Sequence, residues 1–361
     1  MNAERVPATS VEPLPHLRIG PVDIGFPAVQ AALSGYSDWP MRAIARRLGA
    51  SYTLCEVLLD QFILNVTKGR KARRFIRVED DEHPCGAQLM GAEPAEFPPA
   101  ALKLVEAGFD VIDLNFACPV KKVLGRCRGG YLLTVPQTAL EIVARVREAL
   151  PPRVPLTVKL RCGFDDSPES TARFWEIFDG CWRLGAAAVT VHGRTVRQRY
   201  VGPSRWSVVA EAKRAAGPRV VLGSGDLFTA EDCLRMIHET SVDGVTVARG
   251  AIGNPWIFRQ VREAAAGRTV AWPSVHEQRD ILAEHFRLAH AHYGPSACGP
   301  RMRKFGIKYS RLHPEAATVR EAFISVTDLD DWQAVLDRWY ADDAPGREPP
   351  PPVGDGEEES C

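Results

Sequence analysis

The chain has 361 residues, of which 45% are hydrophobic, and its 45 basic side chains equal its 45 acidic ones in number. It has no apolar run of about 18 residues, residues 1–17 lack a signal-peptide core, and its nine cysteines form no Cys-x-x-Cys pair. These features exclude a membrane span and a secreted disulfide framework, argue against a metal site, and predict a soluble cytoplasmic protein that binds charged partners through a local patch.

The predicted elements begin after a short leader. Residues 1–20 hold three prolines and no periodic pattern, which indicates a mobile segment. Eight short apolar segments, each typical of a buried strand, then follow at residues 26–33, 52–57, 85–90, 111–115, 156–160, 188–192, 220–223 and 244–248. Between them, apolar residues three and four positions apart predict helices, among them residues 99–107, 138–150, 169–184, 206–216 and 229–239.

This alternation predicts parallel β/α units, and the eight strands favour a (β/α)8 TIM barrel over residues 21–262. An open doubly wound sheet is the alternative, although the Gly-x-Gly-x-x-Gly turn that normally follows its first strand is absent. After Val261, residues 276–293, 299–312, 315–325 and 328–340 predict helices, and these form a small C-terminal α-helical domain over residues 263–341. The Pro-rich, acidic residues 342–361 predict a disordered tail.

A cysteine follows the fourth predicted strand. Polar residues interrupt the apolar residues of that strand, and Cys118 lies in the next loop, where Pro119 fixes the turn. Side chains at the carboxyl ends of barrel strands face the ligand site, whereas a lone cysteine is more often a small buried apolar residue. Residues 115–123, Asn-Phe-Ala-Cys-Pro-Val-Lys-Lys-Val, resemble the active-site motif of the tRNA-dihydrouridine synthases, flavin enzymes that reduce uridine in RNA. Ala117 stands where that family usually has Gly.

Other strand ends suit a planar, anionic cofactor. Small residues after the first strand let a ring approach the backbone, Gln88 can both donate and accept, and Lys159 in an apolar strand needs an anionic partner. Glycine-rich turns after strands seven and eight are where TIM barrels hold phosphate. Taken singly, each feature has an ordinary structural alternative. The small-residue loop fits a tight turn and Gln88 an amide bonded to neighbouring backbone, while Lys159 fits a salt bridge. His192 at the end of strand six fits a structural histidine.

These segments resemble the ones with which the tRNA-dihydrouridine synthases hold flavin mononucleotide (FMN). The resemblance implies FMN contacts at Ala32, Leu33, Ser34, Gln88, Lys159, His192, Ser224, Gly225, Asp226, Ala248 and Arg249. The family more often has Pro and Met in place of Ala32 and Leu33, and it usually has Asn and Gly in place of Ser224 and Ala248. A further departure is Gly130 and the tyrosine after it, where the family usually has Ser-Ala.

Two clusters of basic residues are candidates for RNA contact. Three cations and a stacking ring share the loop after strand six, at Arg194, Arg197, Arg199 and Tyr200. On one C-terminal helix, basic residues recur at spacings of three and four beside an apolar face, at Arg301, Lys304, Lys308 and Arg311. A solvated basic helix face is the alternative, but this helix resembles the family's Arg-Lys-His-x-x-Trp-Tyr segment, which implies that it tracks RNA phosphates.

The resemblance extends from about residue 24 to residue 339 and implies a cytoplasmic, monomeric, FMN-dependent tRNA-dihydrouridine synthase. It implies that NADPH or NADH reduces FMN, that FMN reduces a flipped-out uridine at C6, and that Cys118 protonates C5 while Asn115 helps to hold the base. An unperturbed thiol, with a pKa of about 8.5, is mostly protonated at neutral pH. Two alternatives stay open: a flavin barrel reductase of a small enone or pyrimidine, and a catalytically inactive RNA-binding member of the family.

Overall fold

The structure, a computed structural model, describes residues 14–66 and 74–350. The described strands are β1 (Leu17–Ile19), β2 (Val22–Gly25), β3 (Ala28–Gln30), β4 (Thr53–Leu59), β5 (Cys85–Met90), β6 (Val111–Phe116), β7 (Leu156–Arg161), β8 (Ala188–His192), β9 (Val220–Ser224) and β10 (Gly244–Val247). The eight strands from β3 to β10 are parallel and close into a barrel. Since β10 pairs with β3 through Thr246 opposite Val29, the predicted TIM barrel is confirmed and the open-sheet alternative is wrong.

Helices cover the outside of the barrel and form a group at the C-terminus. Those of the barrel are α1 (Trp39–Arg47), α2 (Asp60–Asn65), α3 (Phe97–Glu106), α4 (Lys121–Leu124), α5 (Pro136–Ala149), α6 (Pro168–Arg183), α7 (Trp206–Ala216), α8 (Ala230–Thr240) and α9 (Ile257–Ala265). The C-terminal group contains α10 (Val275–Tyr293), α11 (Pro295–Tyr309), α12 (Ala316–Ile324) and α13 (Leu329–Trp339). Short 3-10 turns occur at Asp80–Glu82, Gly129–Thr134, Arg249–Ala251 and Ser310–Leu312.

Local side-chain chemistry explains where several helices begin. Thr229 and Asp232 form a reciprocal capping box at the start of α8, and Ser274 and Glu277 form another at the start of α10. Each box satisfies two backbone N–H groups that the first helical turn leaves without carbonyl partners. The capping residues lie beside apolar positions at helical spacing, which is why the sequence predicts these starts to within a residue or two.

Helix α11 begins earlier than expected. The sequence predicts a helix over residues 299–312, whereas α11 starts at Pro295 and carries Pro300 inside it. Proline at the first helical position has a suitable φ and loses no needed N–H group, so Pro295 starts the helix well. Gly299 is needed where α11 passes the next loop, because a Cβ there would clash with the carbonyl group of Thr327.

The hairpin β1–β2 covers the end of the barrel at which the strands begin. Leu17, Ile19 and Ile24 pack there against Val29 and Leu222. The predicted mobile leader is therefore wrong for residues 17–20, which belong to this hairpin, while residues 1–13 lie outside the described residues. A strand of three residues is too short for its alternation of buried and exposed positions to be recognised from sequence.

The predicted tail also starts too early. The backbone N–H of Val275 donates to the Ala344 carbonyl at 2.9 Å, and that of Arg347 donates to the Leu312 carbonyl at 2.9 Å. Residues 344–347 are thus bound along the C-terminal helices, although they have no regular secondary structure. Residues 351–361 of the predicted disordered tail lie outside the described residues.

Within the described ranges, no helix is both long and apolar enough to cross a membrane. The same ranges contain no group of three or more His, Cys, Asp or Glu side chains that could hold a metal ion.

Replacing Ile19 with Ala tests whether the hairpin is part of the core. Ile19 is 1% exposed, so the change should remove buried apolar surface and leave a cavity. We expect the free energy of unfolding to fall by about 2–5 kcal/mol, measured by urea denaturation. Arg18→Ala is the matched control, because the Arg18 side chain is 57% exposed and its loss should change stability by less than about 0.5 kcal/mol. Equal effects of the two changes would contradict the assigned role of the hairpin.

Candidate active site

A cavity opens at the carboxyl ends of the barrel strands. It encloses about 910 Å³ of empty space, counting the open solvent at its mouth. All the predicted cofactor residues line it, namely Ala32, Leu33, Ser34, Gln88, Lys159, His192, Ser224, Gly225, Asp226, Ala248 and Arg249. Asn115 and Cys118 line the same cavity. The fold thus gathers these residues in one place, and their contact with a cofactor stays a prediction.

The loop that carries Cys118 is held by the strand before it. The side-chain oxygen of Asn115 accepts from the backbone N–H groups of Ala117 at 2.9 Å and Cys118 at 3.0 Å. The N–H of Gly130 donates to the Cys118 carbonyl at 3.0 Å, so the chain that leaves the strand is tied back to its starting point. Cys118 is 3% exposed. The thiol is therefore presented to the cavity from a backbone that is fixed at several points.

Gly130 is one of the departures from the resembling family, and its surroundings explain it. A Cβ at Gly130 would lie 2.6 Å from Val196 Cγ2 and 2.9 Å from the Cys118 carbonyl oxygen. Val196 is 1% exposed, so it fills the space that a larger residue at 130 would need. The missing side chain is compensated by a neighbour, and the departure leaves the packing of the Cys118 loop intact.

Behind this loop, a chain of buried polar side chains crosses the barrel interior. Thr157 donates to Asp113 at 2.5 Å, Gln88 Nε2 donates to the other Asp113 oxygen at 2.6 Å, and Asn115 Nδ2 donates to Gln88 Oε1 at 2.7 Å. Burial raises the pKa of Asp113, while these hydrogen bonds and Lys159 act in the opposite direction. Since Thr157 and Gln88 both donate to Asp113, the network fits an ionised carboxylate, which only accepts.

His192 and Lys159 meet at Ser224. The Ser224 hydroxyl lies 3.3 Å from Lys159 Nζ and 3.3 Å from His192 Nδ1. Burial, with Arg161 and Lys159 nearby, lowers the pKa of His192 well below its usual range, so its imidazole is neutral at pH 7. His192 Nε2 and Thr246 Oγ1 are both buried and have no hydrogen-bond partner among the described residues. Both residues line the cavity, and such orphaned polar atoms are typical of a site that binds a polar ligand.

The two glycine-rich turns pack closely together. Gly225 has a φ of +118°, and a Cβ there would clash with Ser204, while a Cβ at Gly250 would clash with the Leu227 carbonyl. Arg249 lies over the rings of Tyr200 and Phe228, at 4.5 Å and 5.1 Å from their centroids. These turns therefore bring backbone and one guanidinium to the cavity wall, as the sequence predicts for a phosphate site.

Arg194 does not have the position expected for an RNA contact. Its guanidinium pairs with both Asp226 oxygens at 2.7 Å and donates to the Gly202 carbonyl, and its side chain is only 4% exposed. A carboxylate 32 positions away in the sequence thus neutralises it, and its contact with RNA stays a prediction. The same pairing occupies the Asp226 side chain, so its backbone is the part left for a ligand.

The other two cations of that loop differ from each other. Arg197 is 70% exposed and lies 3.7 Å from Asp165, so it remains near solvent, and its contact with RNA stays a prediction. Arg199 is half-buried with a φ of +51°, and its carbonyl accepts from Arg161 at 2.7 Å. The loop backbone is thus anchored to the barrel through Arg161, which the sequence analysis did not select.

The basic helix face also differs from expectation. Lys304 Nζ lies 4.3 Å from the Tyr36 ring centroid, and it interacts with the carboxylates of Asp38 and Glu56 at the junction with the barrel. Burial lowers the pKa of Lys304 and raises the pKa of both carboxylates. Lys304 is therefore part of an internal charge cluster, and the phosphate-tracking role of the helix face stays a prediction.

The remaining members of the stripe are partly occupied as well. Arg301 lies 4.2 Å from the Tyr293 ring centroid, and Arg311 donates to the Pro350 carbonyl at 2.7 Å. Both are half-buried, as is Lys308. Helical periodicity identifies the face correctly, but it does not show what that face packs against.

One cavity residue, Arg161, was missed by sequence reasoning, whereas Tyr200 was predicted as a stacking ring. Arg161 is 3% exposed and donates to the carbonyls of Ala117 and Thr195 at 2.8 and 2.9 Å. Tyr200 lines the cavity, with the Arg161 guanidinium 5.5 Å from its ring centroid. A signal for Arg161 was available, because it stands two residues after Lys159 and alternate strand residues point to the same side.

Comparisons with known proteins place the chain in one family. The family model described as dihydrouridine synthase matches residues 29–344. A probable tRNA-dihydrouridine synthase of Mycobacterium tuberculosis is 32% identical over 339 residues, which are 91% of this chain and 86% of that protein. The tRNA-dihydrouridine synthase B of Xanthomonas axonopodis pv. citri is 32% identical over 327 residues, which are 90% of this chain and 96% of that protein.

Solved structures with the same barrel are more distant. Histamine dehydrogenase from Rhizobium sp. 4-9 matches with a TM-score of 0.53 and 16% identity, over 74% of this chain and 50% of that chain. A 2-naphthoyl-CoA reductase matches with a TM-score of 0.55 and 11% identity, over 70% of this chain and 52% of that chain. The chain spans about half of each, and the likeness shows the fold alone.

Replacing Asn115 tests how the Cys118 loop is held. Asn115→Ala should leave the N–H groups of Ala117 and Cys118 without their acceptor. The free energy of local opening should fall by about 1–3 kcal/mol, which should speed hydrogen exchange of these two amides by about 5- to 150-fold. The exchange is measured by mass spectrometry of the peptide that contains both amides.

Asn115→Asp is the matched control, because a carboxylate keeps the acceptor oxygen but loses the donor to Gln88. The Asp variant should retain slow exchange at both amides. Slow exchange in the Ala variant would contradict the proposed anchoring by Asn115.

Proposed function

The chain belongs to the dihydrouridine synthase family, oxidoreductases acting on CH–CH groups, and from this premise we propose that it reduces the C5–C6 double bond of uridine in tRNA, with FMN as its cofactor and NADPH or NADH as reductant. The observation that carries the proposal is that the Cys118 loop and the flavin-suited residues line one cavity. We further propose that the protein acts as a monomer in the cytoplasm, where tRNA is available.

The residues of the cavity fit FMN. His192 Nε2 and Thr246 Oγ1 are buried polar atoms without a hydrogen-bond partner among the described residues. The turns at Gly225 and Gly250 have no room for a Cβ. The turns after β9 and β10, with Arg249, would hold the phosphate, and Gln88, Lys159 and His192 would hold the ring. When bound, FMN supplies the hydride. Exposed backbone N–H groups and nearby cations are what a phosphate requires.

Cys118 is proposed as the proton donor to C5. Its backbone is fixed by Asn115 and Gly130, which supports a defined position for the thiol. His192 is neutral at pH 7 because its pKa is lowered, so its ring is a poor acid. The thiol is therefore the better acid of the two. A positioned acid contributes roughly 10²- to 10⁴-fold in rate.

Cations beside the thiol support the same reaction. Arg161 and Lys159 line the cavity, and Arg161 donates to the carbonyl of Ala117, directly before the thiol. Addition of hydride to C6 leaves negative charge on the uracil ring until C5 is protonated. Preorganised positive groups in a site shielded from water stabilise such charge without reorganising. Tyr200, at the mouth of the cavity, offers a ring on which a base can stack.

Removing two cavity cations tests the cofactor site. Lys159→Ala with Arg249→Ala should weaken FMN binding by roughly 10²- to 10⁴-fold, since each hydrogen bond to a charged group contributes about 1.5–3 kcal/mol. The measurement is flavin absorbance per mole of purified, folded protein. Arg183→Ala with Arg214→Ala is the charge-matched control, because both side chains are exposed at the carboxyl ends of α6 and α7. Undiminished flavin in the cavity variant would remove the proposed site.

Replacing Cys118 with Ala tests the proton donor. The variant should still bind FMN but form dihydrouridine roughly 10²- to 10⁴-fold more slowly in single-turnover reactions with tRNA. Cys127→Ala is the control, because Cys127 is an exposed thiol nine positions along the same loop. Normal turnover by the Cys118 variant with failure of the Cys127 variant would show that the acid is misassigned. Absence of dihydrouridine with the unaltered protein, even in RNA from a host lacking it, would contradict the proposed substrate.

A further inference from the structure

A group of exposed cations lies directly beyond the Cys118 loop. Lys121, Lys122 and Arg126 are all exposed, and none of them forms an ion pair with a carboxylate of the described residues. These three residues are called the cationic rim below. Some other surface arginines of this protein, by contrast, pair with a nearby carboxylate.

The cationic rim is displayed from a rigid segment. The hydrogen bond from Gly130 N–H to the Cys118 carbonyl closes the segment at 3.0 Å. Leu124 packs against the hydrophobic core, and Arg128 is 8% exposed and donates to Gln61 Oε1 at 2.9 Å. The partly buried Leu124 and the buried Arg128 thus hold the segment in place, while its three cations are exposed to solvent. A preordered binding segment loses little conformational entropy when a partner arrives.

The cationic rim lies at the edge of the cavity. Lys121 stands three residues after Cys118, and three residues of extended chain span at most about 11 Å. A polymer whose one residue enters the cavity must therefore pass close to these cations. Other cations proposed for RNA contact are engaged elsewhere, since Arg194 pairs with Asp226 and Lys304 lies in the acidic junction with the barrel.

From this arrangement we propose that the cationic rim is the surface on which the RNA backbone docks beside the cavity. The inference rests on the proposed function and names the part of the protein that holds the polymer while one nucleoside is inside. Lysines act as point charges for phosphate and need no particular base, so the contacts are independent of sequence. The occupant is a phosphodiester chain, whose repeated negative charge complements three exposed cations.

The test replaces the cationic rim by neutral residues of similar length, with Lys121→Gln, Lys122→Gln and Arg126→Gln combined. The probe is an unmodified tRNA transcript, and its dissociation constant is measured over a range of salt concentrations. Loss of three phosphate contacts should lower the slope of log Kd against log salt by about 2 to 3 units. In steady state the KM for tRNA should rise more than kcat falls, because the rim holds the polymer away from the reacting atoms.

A matched control removes the same charge from the opposite end of the barrel. Arg153→Gln, Arg214→Gln and Arg268→Gln alter exposed residues near the amino ends of the strands and should leave the salt slope at the wild-type value. A wild-type slope in the rim variant, or an equal fall in both triple variants, would overturn the docking surface. If the unaltered protein forms dihydrouridine in that case, the proposed function stands. A lowered slope in the rim variant alone would support the surface even if no dihydrouridine is formed, and the proposed reaction would then fail separately.

Discussion

Polar side chains inside a closed barrel must bond to one another or to a ligand, because burial without a hydrogen bond is costly. Here Thr157 and Gln88 donate to Asp113, and Gln88 accepts from Asn115, which in turn accepts from the backbone of the Cys118 loop. An ionised carboxylate can only accept, so it determines which end of the Gln88 amide faces Asn115. The orientation of a loop at the mouth is thereby set by a charge in the middle of the barrel.

The same closed interior determines the electrostatics of the cavity. Lys159, Arg161 and Arg249 line it, whereas the Asp226 carboxylate is taken up by Arg194. Burial, together with this positive charge, keeps His192 neutral by lowering its pKa, and the positive charge also suits an anionic ligand such as a phosphate group. One arrangement of charges thus favours an anionic ligand and is consistent with the proposed role of the Cys118 thiol as proton donor.

Charges at the junction of the barrel and the C-terminal helices have a structural role. Tyr293 donates to Asp38 at 2.6 Å, Lys304 interacts with Asp38 and Glu56, and Tyr36 packs edge-on against Phe305 at 5.4 Å. These contacts join α10 and α11 to the loop after β3 and to strand β4 of the barrel. The basic face of α11 therefore has two roles: Lys304 helps to hold the two parts of the chain together, whereas Arg301 and Lys308 remain partly exposed to solvent.

The sequence by itself determined the barrel and the place of its site. Eight apolar segments separated by helices permit few topologies, and polar residues at their carboxyl ends must converge in such a barrel. The tertiary structure alone decided how individual charges are used, as with Arg194 and Lys304, because a cation is neutralised by whichever carboxylate lies near it in space. It also decided that Ile19 belongs to the core, since three residues carry too little pattern to reveal a strand that only its packing stabilises.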